Sequence, residues 1–222
     1  MKTMKFIPAL LMFVSVLIYA GCGIGCDVQY WHGELNNEYI YTIDGELYSL
    51  ELSGGVDVVV DSTIAINRVR VLSNTDDFSK LVVKTENGKL AISHKLNIGK
   101  KYKAFVPAFG YNALAASGGS DLEWDGCNVG KLALTVSGGA DCEIKGRCDA
   151  LAVVVSGGAD ANLEELIAGD VSVVASGGAD VKLHAVRTIS VTASGGSDVY
   201  IGGTPQISGW SVSGGADVYI NK

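Results

Sequence analysis

Six aspartates recur in the second half of this 222-residue chain at nearly equal spacing: Asp121, Asp141, Asp160, Asp180, Asp198 and Asp217. Each closes a Ser-Gly-Gly-x-Asp pentapeptide whose serines, from Ser117 to Ser213, are separated by 20, 19, 20, 18 and 19 residues. Carboxylates at such a period can do two things. They can satisfy the amides of a Gly-Gly bend as Asx-type turns, or they can align as oxygen ligands in a calcium ladder. In water, two unit charges ~4.8 Å apart repel by roughly 0.9 kcal/mol. A carboxylate accepting a turn N–H gains about 1.5–3 kcal/mol, which offsets that repulsion without a metal. Calcium-binding repeats draw ligands from both bends of a coil, whereas one bend carries the motif here. The turn role is therefore expected, and no cofactor.

Other reactive side chains form no catalytic set. His32, His94 and His184 share no motif, and Arg147 and Arg187 are the arginines of the repeats. Hydrolysis of a polysaccharide needs paired carboxylates over a walled groove, and no loop is long enough to wall one, so the chain is not expected to be an enzyme. Cys127 and Cys148 lie 21 residues apart, close to one period, and are expected to bridge consecutive coils in an oxidising compartment. Cys142 occupies an inward row and is expected to remain a buried thiol. Tyr200 and Tyr219 share one outward row, with Trp124 and Trp210 near them in sequence. Stacked aromatics can hold a sugar ring, and tyrosine is also simply a favourable strand residue; both readings stay open.

The elements that position these residues follow from aligning the copies on their serines. One residue before Ser stand Ala116, Val136, Val155, Ala175, Ala193 and Val212; three before stand Leu114, Leu134, Val153, Val173, Val191 and Trp210. The rows between are small, hydroxylated or β-branched. Past the Asp, Leu122, Cys142, Ala161, Val181, Val199 and Val218 point in, and Glu123, Glu143, Asn162, Lys182, Tyr200 and Tyr219 point out. Alternation with period two means strands with one buried face. Each repeat is a strand, a Gly-Gly bend, a strand and a looser return. A single repeat cannot bury its apolar face, but parallel stacking at about 4.8 Å builds one continuous core. The fold class is all-β: a right-handed single-stranded parallel β-helix, or solenoid, with coils of about 19 residues. Helix is nearly absent, with Leu163 to Ile167 the one stretch to consider.

Residues 38–110 read as an N-terminal β region with hairpins that precedes the β-helix repeats of 111–222 and caps its first coil. Asn87-Gly88 between two apolar runs is a strong two-residue hairpin signal, and Ser53-Gly-Gly-Val-Asp57 repeats the motif once. Before these, Lys2 and Lys5, an apolar run and Ala20-Gly21-Cys22 form a lipoprotein signal peptide over 1–21, followed by a linker over 22–37. Cys22 is the expected lipidation site and Cys26 a second candidate. Losing Lys2 and Lys5 moves the formal charge from −7 to −9. That acidity argues against nucleic acid and against electrostatic attachment to anionic lipid, leaving the lipid anchor as the contact with membrane.

With Ser53-Gly-Gly-Val-Asp57, Asn87-Gly88-Lys89-Leu90, Val106-Pro107 and the serial Ser-Gly-Gly-x-Asp coils on the page, the sequence resembles the auto-transporter adhesin head GIN domain family of exported bacterial proteins, over about residues 44–220. Members usually show Ser-Gly-x-Gly, so the spelling here is a variant. The resemblance implies a right-handed β-helix and an adhesin-like role, and it carries no catalytic residue or ligand to transfer. The expected function is a cell-envelope binding module for a glycan or protein at the cell surface, anchored in the outer membrane and facing the periplasm or the surface. The alternatives are a structural envelope lipoprotein without a specific ligand, or a calcium-binding repeat protein. At the far end the chain reaches Lys222 two residues after Ile220. Trp210, in a row otherwise of Leu and Val, is expected to lie across the open coil as a plug, with Tyr219 and Lys222 keeping the rim polar.

Overall fold

A computed structural model describes residues 35–95 and 99–221, and every regular element among them is a β-strand. The expected signal peptide, Cys22, Cys26, His32 and Lys222 lie outside the described residues. The first half holds β1 (Asn37–Thr42), β2 (Ser49–Ser53), β3 (Val56–Asp61), β4 (Arg68–Ser73), β5 (Leu81–Glu86), β6 (Lys89–His94) and β7 (Tyr102–Pro107). Then come β8 (Ala113–Ser117) and four long strands, β9 (Asp121–Gly138), β10 (Asp141–Gly157), β11 (Asp160–Gly177) and β12 (Asp180–Gly195). β13 (Asp198–Gly202), β14 (Gln206–Val212) and β15 (Asp217–Asn221) are the last described strands.

The period-two pattern dictates this outcome. Leu134, Val153, Val173 and Val191 are buried, while Thr135, Val154, Val174 and Thr192 between them and their serines point to solvent. The long strands pair in parallel with their neighbours, and the serines stack on one another: Ser117 on Ser137, then Ser156, Ser176 and Ser194. Two walls result, one before the Gly-Gly corner and one after it, enclosing a single apolar core.

The corner sets the stacking. The first glycine of each pair has positive φ: Gly138 at 80°, Gly157 at 82°, Gly177 at 81° and Gly195 at 80°. A Cβ on Gly177 would also stand 2.7 Å from the Gly157 carbonyl oxygen of the coil below. The site therefore demands glycine twice over, by backbone conformation and by approach.

The N-terminal half is more solenoidal than its sequence suggests. β2 lies parallel against β8 with Ser53 on Ser117, and β3 lies parallel against β9 with Val58 on Leu122, so the first motif copy is a full coil in register. Beyond it lie β6 and β7, parallel to β2 and β3, although they follow them in sequence. The end is then sealed by antiparallel strands, β5 on β6, and β4 and β1 beyond β7. The β5–β6 hairpin is the one its Asn-Gly pair predicts: Asn87 and Gly88 both have positive φ, 49° and 71°, and Glu86 pairs with Lys89. The stretch Leu163 to Ile167 forms no helix. It belongs to β11, where the register shifts.

Two substitutions separate the two demands on glycine. Gly126, φ 83°, has open space around its Cβ position, so Gly126→Ala should cost the left-handed penalty alone, about 1–2 kcal/mol. Gly177→Ala should cost a further 1–3 kcal/mol or so from forced separation of coils. Denaturant melts of the two variants read this directly, and equal losses would remove close approach from the account.

Candidate functional site

The register brings all six repeat aspartates into one column along the corner, Asp121 on Asp141, Asp160, Asp180, Asp198 and Asp217. Their part in the turn differs from the sequence expectation. The glycine amides donate to the coil below rather than to the carboxylates: Gly158 to the Gly138 carbonyl at 2.8 Å, and Gly178, Gly196 and Gly215 to the Gly157, Gly177 and Gly195 carbonyls at 2.7 Å. A stacked coil already offers each amide a backbone acceptor, so the Asx turn has nothing left to satisfy. The Asp121 and Asp141 carboxylates instead accept from the backbone of Asp141 and Asp160 on the following coil. Burial, and then the next aspartate, hold both above the usual carboxylate range.

Two further residues belong to this column. Val58 on Leu122 places Asp57 at its head, and Asp57 faces Lys103 across β7. Burial chiefly, with Asp121 beside it, pushes the Asp57 carboxyl up to about 6 against the pull of Lys103. The x position of the motif carries information that the sequence reading passed over. Ala140, Ala159, Ala179, Ser120 and Ser197 are all buried inside the corner, as is Val56 of the first copy. Ser120 Oγ accepts the Gly55 and Val56 N–H groups at 3.1 and 3.2 Å, tying the N-terminal coil to the repeats. Among the described residues no group of three or more His, Cys, Asp or Glu side chains is placed to hold a metal ion.

On the wall after the corner, Tyr200 and Tyr219 stack face to face, centroids 4.9 Å apart and planes within 13°. Their rings follow from the register, which sets Tyr200 directly on Tyr219. Tyr200 borders an open recess of about 560 Å³ with Glu164, Asp180, Lys182 and Asn221. The recess has a local cause. Leu163 pairs with Leu183 and Ile167 with His184, so β11 carries three residues, Glu164 to Leu166, for which β12 has no counterpart. Leu166 is buried, and the two glutamates stand out as a ledge. The tryptophans do not join the tyrosines. Trp124 is buried against Tyr111, ring centroids 6.0 Å apart, and Trp210 lies on β14 in the row of Val191.

The two described histidines are also apart. His94 ends β6, buried beside Tyr102, and burial lowers its pKa; His184 sits on β12. Arg187 instead staples coils, donating to the Asp170 carboxylate at 2.9 Å and to the Asp149 carbonyl at 2.7 Å. Cys127 and Cys148 are thiols and do not stack. Cys127 faces Gly146, and Cys148 faces Val129. The coil step here is 19 residues, because Asp125-Gly126 holds one residue more than the matching place in β10, so a separation of 21 puts the cysteines two positions out of register. Burial pushes Cys127 up to about 12 and Cys148 to about 11, which holds both protonated. Cys142 is a buried thiol in its inward row.

Residues 109–205 match a protein family described as "Putative auto-transporter adhesin, head GIN domain". A crystal structure of a "putative adhesin" from Bacteroides fragilis superposes with TM-score 0.65 at 14% identity, over 83% of this chain and 96% of that one. Another, of a "putative adhesin" from Parabacteroides merdae, gives 0.50 at 14% identity, over 84% and 96%. At such identity the likeness is one of fold. Comparison with curated proteins finds no match.

Two measurements test the column. A carboxyl held at about 6 in the folded state, against about 3.9 unfolded, costs nothing below pH 4 and reaches its full cost once pH has risen past 6. Asp57→Asn should therefore be the more stable form at pH 7, with the gap closing by pH 4. The full linkage for such a shift is about 3 kcal/mol, and solvent screening at this half-exposed position leaves about 1 kcal/mol. A pH-independent difference in melts would contradict the assignment. Thermal midpoints in EDTA and in millimolar calcium should coincide; a large rise with calcium would make the column a metal ladder.

Proposed function

We propose that the chain is an exported, adhesin-like binding module of the bacterial envelope, held at the outer membrane by lipid on Cys22, and that the recess beside Tyr200 takes a neutral glycan. The reading rests on one observation above all: an aromatic pair locked by stacking at the edge of a recess rimmed by carboxylate, amide and ammonium groups. A sugar presents an apolar C–H face and a rim of hydroxyls. An aromatic ring suits the first, and Glu164, Asp180, Lys182 and Asn221 suit the second, since a few placed polar groups around an apolar contact fix orientation. Two carboxylates against one ammonium, beside the acidic column, favour an uncharged sugar over a uronic acid. The family description and the absence of any assembled acid–base set among the described residues support binding over catalysis.

Glycan-array screening of the purified chain tests this, with Tyr200→Ala as the matched variant. The expected result is retention of neutral oligosaccharides by the parent and at least a tenfold loss in the variant, a change of about 1.4 kcal/mol. Equal retention by both would move the contact elsewhere on the rod, and no glycan retained by the parent would leave a protein ligand or a purely structural role.

A further inference from the structure

The last described coil is built of core-row residues that no described strand covers. Ile207, Trp210, Val212 and Ile220 are 49%, 47%, 37% and 39% exposed, whereas Ile189, Val191, Ala193 and Ile201, their partners on the preceding coil, are at most 1% exposed. Trp210 thus does not close the end: it is itself half exposed and leaves the other three uncovered. The edge is open in its backbone too. β14 pairs with β12, and β15 pairs with β13, and no described strand lies on their outer sides. At the corner, Gly138, Gly157, Gly177 and Gly195 each accept an N–H from the next coil, and the equivalent Gly214 carbonyl has no described donor.

We infer that this end is a homotypic docking surface on which a second copy of the chain seats tail to tail. Three features select a second copy. First, solvent-facing edges are guarded by charged side chains, yet from Gly203 to the terminal Lys222 the sequence carries only Asp217 and Lys222 as charged residues. Coils farther back carry several, such as Asp141, Glu143, Lys145, Arg147 and Asp149. Second, a face with so little charge matches itself, since a two-fold axis opposes no rows of like charge, and it gives an oppositely charged partner little to recognise. Third, the other end of the rod has a different surface: β5, β4 and β1 lie antiparallel over β6 and β7, and their inward Leu81, Val69 and Val71 are buried. The two ends therefore offer unlike surfaces, which favours an isologous contact that closes at two copies over head-to-tail growth. A two-fold axis normal to the rod lays each edge strand antiparallel to one in the other copy, a geometry in which open N–H and C=O groups pair.

The test is sedimentation of the processed chain, residues 22–222, carrying Cys22→Ala and Cys26→Ala, so that neither leader nor acyl group drives association, from about 1 to about 100 µM. The expected result is a concentration-dependent monomer–dimer equilibrium with no larger species. Val212→Asp should shift it to monomer, and Ser211→Glu, at an already exposed polar position, provides the same reading should the first variant misfold. Ser211→Cys should form a covalent dimer with a short bis-maleimide, while Ile66→Cys, an exposed site on the N-terminal part, should not. A chain monomeric up to 100 µM, dimers unchanged by both charged variants, or cross-linking through Ile66→Cys alone would each overturn the assignment.

Discussion

The close approach of consecutive coils at the Gly-Gly corner governs the rest of the molecule. A carbonyl of one coil meets the amide of the next at 2.7–2.8 Å, and only a glycine in the left-handed region leaves room for it. Once that contact forms, the register of both walls is set, because a slip of one residue would turn every inward side chain outward. Everything downstream is like on like: Val on Val in the core, Ser on Ser before the bend, Asp on Asp after it, Tyr on Tyr at the end of the row.

Like-on-like stacking suits an apolar row and strains a charged one. The aspartate column tolerates it where water reaches the carboxylates. The cost emerges at the head of the column, where the N-terminal coil half-buries Asp57 and raises its pKa in spite of Lys103 opposite. Elsewhere lysines beside the row relieve it, as where Glu123 stacks on Glu143. Lys145 bridges Glu143 and Glu165 at 3.0 and 2.8 Å, and Lys103 approaches Glu123 at 3.5 Å. These exposed pairs contribute little to stability singly; their value is in relieving repulsion that the register would otherwise impose on every coil.

What the sequence made legible is what repeats. The inward rows, the corner glycines, the Asn87-Gly88 hairpin and the pairing of Tyr200 with Tyr219 all follow from a period of about 19 and an alternation of two. What it hid is local departure from the period. One extra residue at Asp125-Gly126 moves Cys127 away from Cys148, and three at Glu164 to Leu166 make the ledge beside Tyr200; neither disturbs the spacing of the serines enough to announce itself. The role of the aspartates was misjudged for a different reason. An isolated Gly-Gly bend needs a side-chain acceptor, and only the stacked coil supplies a backbone one. The sandwiching of β2 between β8 and β6, and of β3 between β9 and β7, was also beyond reach, since it reverses chain order in space.

Those departures are also where the proposed recognition would have to reside. Identical coils present identical surfaces, so a perfectly regular solenoid offers a ligand many equivalent places and no preferred one. A discrete site requires that some coil differ from its neighbours in shape and chemistry at once. The insertion in β11 changes shape, and the replacement of the Glu, Glu, Asn, Lys sequence of the outward row by two tyrosines changes chemistry, within the same few coils. The regular part of the rod then acts as a rigid ruler that fixes how far this place stands from the N-terminal cap. Because the corner contacts admit no intermediate register, a change in coil number would move it by whole steps of about 4.8 Å and leave its geometry intact.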